Sequence, residues 1–337
     1  MKDFQLLRQQ VIKILRQNKK RLQKRKHIFF LYGIPLLLLS ILTSIHILNG
    51  FIAAQIEEIR LFPSPIATTE QHRYPLLKTI LGSKEKEENS PVLTADAAVV
   101  MEDASKVIVY AKNENLRFSM ASTTKIMTAL TALQHYGLND ILTIYTDTVE
   151  GAGIGFKKGE QLTFKNLLYA MMLPSANDAA VAIAQNYPGG EKAFIAKMNE
   201  NASRYHLFFT NYTDSSGLED SGDYTTVVDL ARLASIAMKN KLLMEVVGTK
   251  QKVIKNTQEH EYEIYNLNKL LGKDGVIGMK TGFTDEAKGV LVTSKLANGH
   301  TFIIVVMHSD DRFEDTSKLV SLIDNNLTFL HFYPPGK

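Results

Sequence analysis

The chain has 337 residues, with 39 Lys and Arg against 35 Asp and Glu for a formal charge of +4, and its 45% apolar content can fill a large core. It has no cysteine, which excludes disulfides, iron–sulfur ligation and thiol catalysis; its 9 histidines lack His-x-x-x-His or His-x-His spacing, so neither metal nor cofactor is expected. The charge is uneven: residues 1–27 hold ten basic side chains and one acid, Asp3, a net +9 that leaves −5 downstream. A nucleic-acid-binding domain would carry its own basic face, so no such partner is expected.

In residues 1–27, Phe4, Leu7, Val11, Ile14 and Leu15 fall at helical spacing between basic residues. This reads as an amphipathic helix on an anionic membrane surface or, equally well, as a solvated basic tail. From Ile28 to Leu48 there are 21 residues without a Lys, Arg, Asp or Glu. At about 1.5 Å per residue, that length matches the hydrocarbon thickness of a bilayer. Lys19 to Lys26 precede the span, which places the N-terminus in the cytoplasm and the rest outside. Its length, and the lack of an Ala-x-Ala site after it, favour a retained anchor over a cleaved signal peptide. The expected organisation is a basic cytoplasmic tail (1–27), a transmembrane anchor (28–49), an extracytoplasmic linker (50–90) with Pro63, Pro65 and Pro75, and a folded domain (91–337).

Within that domain, Ala97 to Met101 and Val107 to Ala111 read as a hairpin. Helices are predicted from Ser122, over Thr163 to Leu173, from Ala179, over Thr226 to Met238 and over Ser317 to Leu330. Val290 to Ser294 and Thr301 to Met307 flank Asn298-Gly299, a strong hairpin signal. Strands at both ends with helices between predict an α/β domain whose sheet draws on both ends of the sequence.

Three motifs carry chemistry. Ser122 and Lys125 lie one helical turn apart where an apolar-periodic run begins, so the amine would stand near the hydroxyl. A serine needs such a base, and a lysine serves only if its pKa is depressed. Ser-x-x-Lys arises about once by chance at this length. A second copy, Ser83 to Lys86, lies in charged linker, and taken alone Ser122 and Lys125 read equally well as an N-cap and a surface lysine. Ser175-Ala176-Asn177 occupies a break between helical stretches, and Lys280-Thr281-Gly282 lies in a strand with a glycine-rich edge. Gly151, Gly153, Gly155 and Gly159 lack the lysine of a phosphate loop and read as a plain loop, while Glu259 to Glu261 read as an exposed connection.

Together and in this order, the motifs match the Ser-x-x-Lys, Ser-x-Asn and Lys-Thr-Gly set of penicillin-binding proteins and β-lactamases. The text around them resembles the D-alanyl-D-alanine carboxypeptidases, the low-molecular-weight penicillin-binding proteins, from about Pro91 to the C-terminus. The likeness is carried by Met120 to Leu130, Leu167 to Gln185, Asp214 to Leu218 with Tyr224 to Ala234, and Gly278 to Val292. The resemblance implies an antiparallel sheet packed against helices with an all-helical lobe, the penicillin-recognising transpeptidase fold. It implies a serine peptidase that removes the terminal D-alanine from peptidoglycan stem peptides ending in D-Ala-D-Ala and is acylated by β-lactam antibiotics. Ser122 would be the nucleophile, Lys125 its base, and Ser175 a proton relay. Asn177, Lys280, Thr281 and Gly282 would bind substrate, Lys280 also helping to keep Lys125 neutral. The backbone N–H groups of Ser122 and Phe283 would form the oxyanion hole. Asp214 stands where such relatives often have Asn, in a turn expected to buttress the site. The 55 residues after Gly282 suffice to finish the sheet and add a helix, so the N-terminal span would replace the C-terminal anchor of many relatives. The alternatives on the same fold are a D-Ala-D-Ala endopeptidase and a β-lactamase, although no Glu-x-x-x-Asn for rapid deacylation lies between the second and third motifs. A non-catalytic peptidoglycan-binding module is the alternative of a different class.

Overall fold

Strands β2 (Ala97–Glu102) and β3 (Ile108–Lys112) pair antiparallel with each other and, through β2, with the late strand β10 (His300–Ser309). Beyond β10 follow β9 (Lys288–Ala297) and β8 (Val276–Thr284), giving a five-stranded antiparallel sheet of order β3-β2-β10-β9-β8. The structure, a computed structural model, describes residues 73–77, 91–218 and 222–331. The expected tail and anchor lie outside those residues; among the described residues, no helix is long and apolar enough to cross a membrane.

The sheet is buried on both faces, and strand alternation divides its side chains between two cores. Ala97, Val99 and Met101 of β2 and Ile303, Val305 and Met307 of β10 join a large core with the helices. Their neighbours Ala98, Val100, Ile304 and Val306 join a second core with Leu319, Leu322 and Ile323 of the last helix. Asn298 and Gly299 both have positive φ, the conformation a two-residue I′ turn requires, and pin the β9–β10 register at Ala297 opposite His300.

Between β3 and β8 the chain builds the helical lobe. A 3-10 turn, Ala121–Thr124, leads into α1 (Lys125–Leu133), which is buried along nearly its whole length. Then come β4 (Ile141–Thr143) and β5 (Gln161–Thr163), paired as a short ribbon, followed by α2 (Phe164–Met172), α3 (Asn177–Gln185) and α4 (Gly190–Arg204). Helices α5 (Val227–Met238) and α6 (Lys241–Val247) and the hairpin β6 (Gln251–Lys255)–β7 (Glu261–Tyr265) complete it, and Glu259 to Glu261 form the exposed hairpin end. Thr163, Thr226 and Asn240 cap α2, α5 and α6 by accepting from the N–H three residues on.

Two differences from expectation stand out. The last helix, α7, runs Arg312–Asn326 rather than 317–330, because Asp311 caps it by accepting from Phe313 and Glu314 N–H. The residues predicted to end that helix instead form β11 (Leu327–His331), antiparallel to β1 (Arg73–Leu77), so a strand occurs within the segment read as linker.

Candidate active site

The opening turn of α1 places Lys125 on the same side as Ser122, with Nζ 3.0 Å from Ser122 Oγ. Lys125 Nζ also donates to Asn177 Oδ1 at 2.6 Å and to the Ser216 carbonyl at 2.7 Å. The orientation of the Asn177 amide follows from its other end, since Nδ2 donates to the Glu150 carbonyl at 2.8 Å. Lys125 is completely buried. Burial pushes its pKa down to about 7, against the opposing pull of Asp214 and Asp178.

A neutral lysine has two N–H donors and one lone pair. Asn177 Oδ1 and the Ser216 carbonyl can only accept, so they take the two donors, and the lone pair is left for the Ser122 hydroxyl. That is the arrangement in which Ser122 donates its proton to Lys125.

Lys280, on edge strand β8, donates to Ser175 Oγ at 2.8 Å and to the Thr281 carbonyl at 2.9 Å. The resemblance casts Lys125 as a neutral base and Lys280 as a retained cation. In the structure Lys280 is buried too, and burial, then Lys125 and Arg312, hold its pKa well below the ordinary range. A carboxylate arriving beside Lys280 would favour its protonated form.

The backbone around these side chains is strained. Ala121 and Ser175 have φ of +46° and +65°, in a region non-glycine residues enter at a cost of about 1–3 kcal/mol. Gly282 packs on the turn that carries Ser122 so closely that a Cβ there would lie 3.1 Å from Ser122 N, and Phe283 follows it on the same strand. All eight residues singled out in the three motifs and at Phe283 therefore gather at the junction of α1, the α2–α3 break and β8.

Three contributors were not identified from the sequence. Arg312, the first residue of α7, couples to Lys280, stacks 4.9 Å from Phe313 and 5.9 Å from Phe283, and has a buried Nε without a hydrogen bond. It is a cation with donors to spare at the end of β8, found only once α7 is known to begin at 312. The others are the Ser216 carbonyl and Asp178. Ser-Ser-Gly after Asp214 marks a turn, but nothing in it says that a carbonyl meets a lysine 91 residues earlier.

A half-buried serine beside a fully buried lysine, facing a second lysine on a sheet edge between an antiparallel sheet and a helical lobe, has the geometry of a Ser–Lys acyl-transfer site. The solved structure of a Streptomyces DD-transpeptidase matches the chain with a TM-score of 0.66 at 33% identity, covering 69% of this chain and 98% of that one, so the fold is the mixed α/β penicillin-recognising type. A Bacillus subtilis D-alanyl-D-alanine carboxypeptidase is 30% identical over 68% of this chain and 61% of its own length. A Streptomyces D-alanyl-D-alanine carboxypeptidase is 34% identical over 68% and 87%, and a Pseudomonas aeruginosa D-alanyl-D-alanine endopeptidase 30% identical over 67% and 76%. Residues 84–311 match the D-alanyl-D-alanine carboxypeptidase family, and the chain belongs to it.

Proposed function

We propose that the chain is a serine-type D-alanyl-D-alanine carboxypeptidase that trims the terminal D-alanine from peptidoglycan stem peptides. The observation that carries this is the buried Lys125 amine, its pKa pushed down to about 7 and its Nζ held between two obligate acceptors with Ser122 at its third position.

Ser122 Oγ attacks the carbonyl carbon between the two D-alanines as its proton passes to Lys125 Nζ. Backbone N–H groups of Ser122 and Phe283 receive the oxyanion. The C–N bond then breaks, the leaving amine takes a proton through Ser175, and the acyl group stays as an ester on Ser122. Water deprotonated by Lys125 hydrolyses that ester, releasing the shortened peptide and restoring the hydroxyl. Lys280, the Thr281 hydroxyl and Arg312 hold the terminal carboxylate, and Gly282 lets the edge strand lie close to the nucleophile. A β-lactam presents a carboxylate and a reactive carbonyl to the same groups, and so acylates Ser122.

Residues 28–49 serve as a single-pass anchor in the cytoplasmic membrane, with residues 1–27 inside, 50–90 as linker and 91–337 outside. The support is the uncharged run Ile28 to Leu48 and the basic flank before it. Similarity to a D-alanyl-D-alanine endopeptidase supports endopeptidase action at the same site as the alternative reading.

The deciding experiment incubates the full-length chain with a stem peptide ending in D-Ala-D-Ala and measures free D-alanine. Ser122→Ala is expected to abolish release and labelling by a fluorescent penicillin; undiminished release would remove Ser122 from the reaction. Slow loss of the penicillin label supports a carboxypeptidase, whereas rapid turnover of penicillin would make the chain a β-lactamase.

A further inference from the structure

Of the two oxygens that orient Lys125, the Ser216 carbonyl belongs to a turn and Asn177 Oδ1 is a side chain at the start of α3 whose amide is tied to a neighbouring loop, so each is only as well aimed as that turn or loop is held. In both cases one carboxylate does the holding. Asp214 Oδ1 accepts from Ser216 N–H, Gly217 N–H and, at 3.2 Å, the Ser216 hydroxyl, and Oδ2 accepts from Leu218 N–H at 2.8 Å. The turn so formed presents the Ser216 carbonyl to Lys125 and the Ser215 carbonyl to Thr128 Oγ1 at 2.7 Å, one turn along α1. Asp178, only 6% exposed, repeats the device. Its Oδ2 accepts from Ile154, Gly155 and Phe156 N–H at 3.0, 2.9 and 3.3 Å, and its Oδ1 from Ala179 N–H at 2.9 Å. The other end of that loop is tied to the preceding residue, with Asn177 N–H donating to the Ala152 carbonyl at 2.7 Å and Asn177 Nδ2 to the Glu150 carbonyl. A Cβ on Gly153 would come within 3.1 Å of Asp178 Oδ2, so the loop lies directly on the carboxylate.

We propose that Asp178 and Asp214 are a matched pair of positioning residues for the general base: each gathers three consecutive backbone N–H groups, and together they fix the two acceptors that aim the Lys125 lone pair at Ser122. This rests on Ser122 and Lys125 acting as nucleophile and base. The same two carboxylates are the negative charges felt by Lys125, so they also set how readily it holds a proton. The other charged groups around it are Lys280 on β8 with Arg312 beyond it, Asp223 behind Thr124, and Glu191 on α4 beside Ser215.

Asparagine at either position removes the charge and keeps one acceptor oxygen for most of the backbone N–H groups, losing the bond to Ala179 or Leu218 N–H, while alanine removes every acceptor, so pH midpoint and plateau rate read the two contributions. The test is the rate of acylation by a labelled penicillin as a function of pH in the full-length chain. The wild-type rate is expected to rise through about pH 7 as Lys125 loses its proton. Removing a negative charge makes the protonated amine less favourable, so in Asp214→Asn and Asp178→Asn the rise moves to lower pH, by about half a unit or more. In Asp214→Ala and Asp178→Ala the plateau rate also falls, by at least about tenfold, while prolonged incubation still labels every molecule. Unmoved midpoints with only a lowered melting temperature, or alanine variants that keep the wild-type plateau, overturn the proposal. If the Asp178 variants do not fold, Asp214→Asn and Asp214→Ala decide it alone. A wild-type chain that takes no label would instead overturn the proposed function.

Discussion

Asp223 shows how a buried charge beside the start of α1 is tolerated rather than exploited. Burial first, then Asp214, lifts its pKa from 3.8 to about 6, against donation from Thr213 N–H, the Thr213 hydroxyl and Thr124 Oγ1. A carboxyl easier to protonate in the folded than in the unfolded chain loses stability as pH rises between those two values. At neutral pH the ionised group therefore costs the fold about 3 kcal/mol at most. Asparagine fits the same partners, since its oxygen accepts from Thr213 and its amide can donate to the Thr124 hydroxyl. Asp223→Asn is expected to raise unfolding free energy by about 1–2 kcal/mol at pH 7.5. That gain should vanish near pH 4, where the wild-type carboxyl is already protonated in the fold. Urea titrations at the two pH values measure it, and equal effects at both would exclude a charge origin.

At the scale of elements, the site depends on one close contact between the 214–218 turn and the start of α1. Gly217 has φ +81°, and a Cβ there would lie 1.9 Å from the Ala121 carbonyl oxygen and 2.8 Å from Thr124 Oγ1. Only glycine permits both the backbone conformation and the approach. Gly217→Ala must push the turn off the helix, carrying the Ser216 carbonyl away from Lys125. The expected result is a loss of at least about 2 kcal/mol of stability together with a penicillin acylation rate reduced more than about tenfold. Stopped-flow labelling and thermal unfolding of the same sample check both, and a variant that loses stability but acylates at the wild-type rate would uncouple turn from base. Elements with strong local signals were legible: the hairpin around Asn298-Gly299 and the helices capped by Thr163 and Thr226 fall where the sequence places them. Helix α4 was passed over although Phe194, Met198 and Ala202 give it a buried stripe, because its polar face dominates the composition. The β6–β7 hairpin buries only Ile254 and Ile264, too little alternation to stand out.

For the whole molecule, the sheet joins β2 and β3 near residue 100 to β8, β9 and β10 near residue 300, with the helical lobe inserted between. That closure brings Lys280 to Ser175 across 105 residues, and packing within the lobe brings Lys125 to Ser216 across 91. The proposed anchor makes a prediction at this scale. The full-length chain expressed in bacteria should sediment with membranes and need detergent for release, while a chain lacking residues 1–49 should remain soluble and still take up labelled penicillin. Solubility of the full-length chain after cell breakage, with its N-terminus intact by mass, would rule out residues 28–49 as a retained anchor.

What the sequence determined by itself was local: one helical turn places Lys125 against Ser122, a break before Asn177 frees Ser175, and a glycine after Thr281 thins an edge strand. These are short-range facts, set by backbone geometry and side-chain size within a few residues. Tertiary structure decided which oxygens surround Lys125, that Lys280 is buried along with it, that Arg312 stands at the end of the same strand, and that Asp178 and Asp214 hold the flanking loops. Each of those depends on burial and on partners tens to hundreds of residues away, and a hydrogen bond or a shifted pKa exists only where the fold has already removed water.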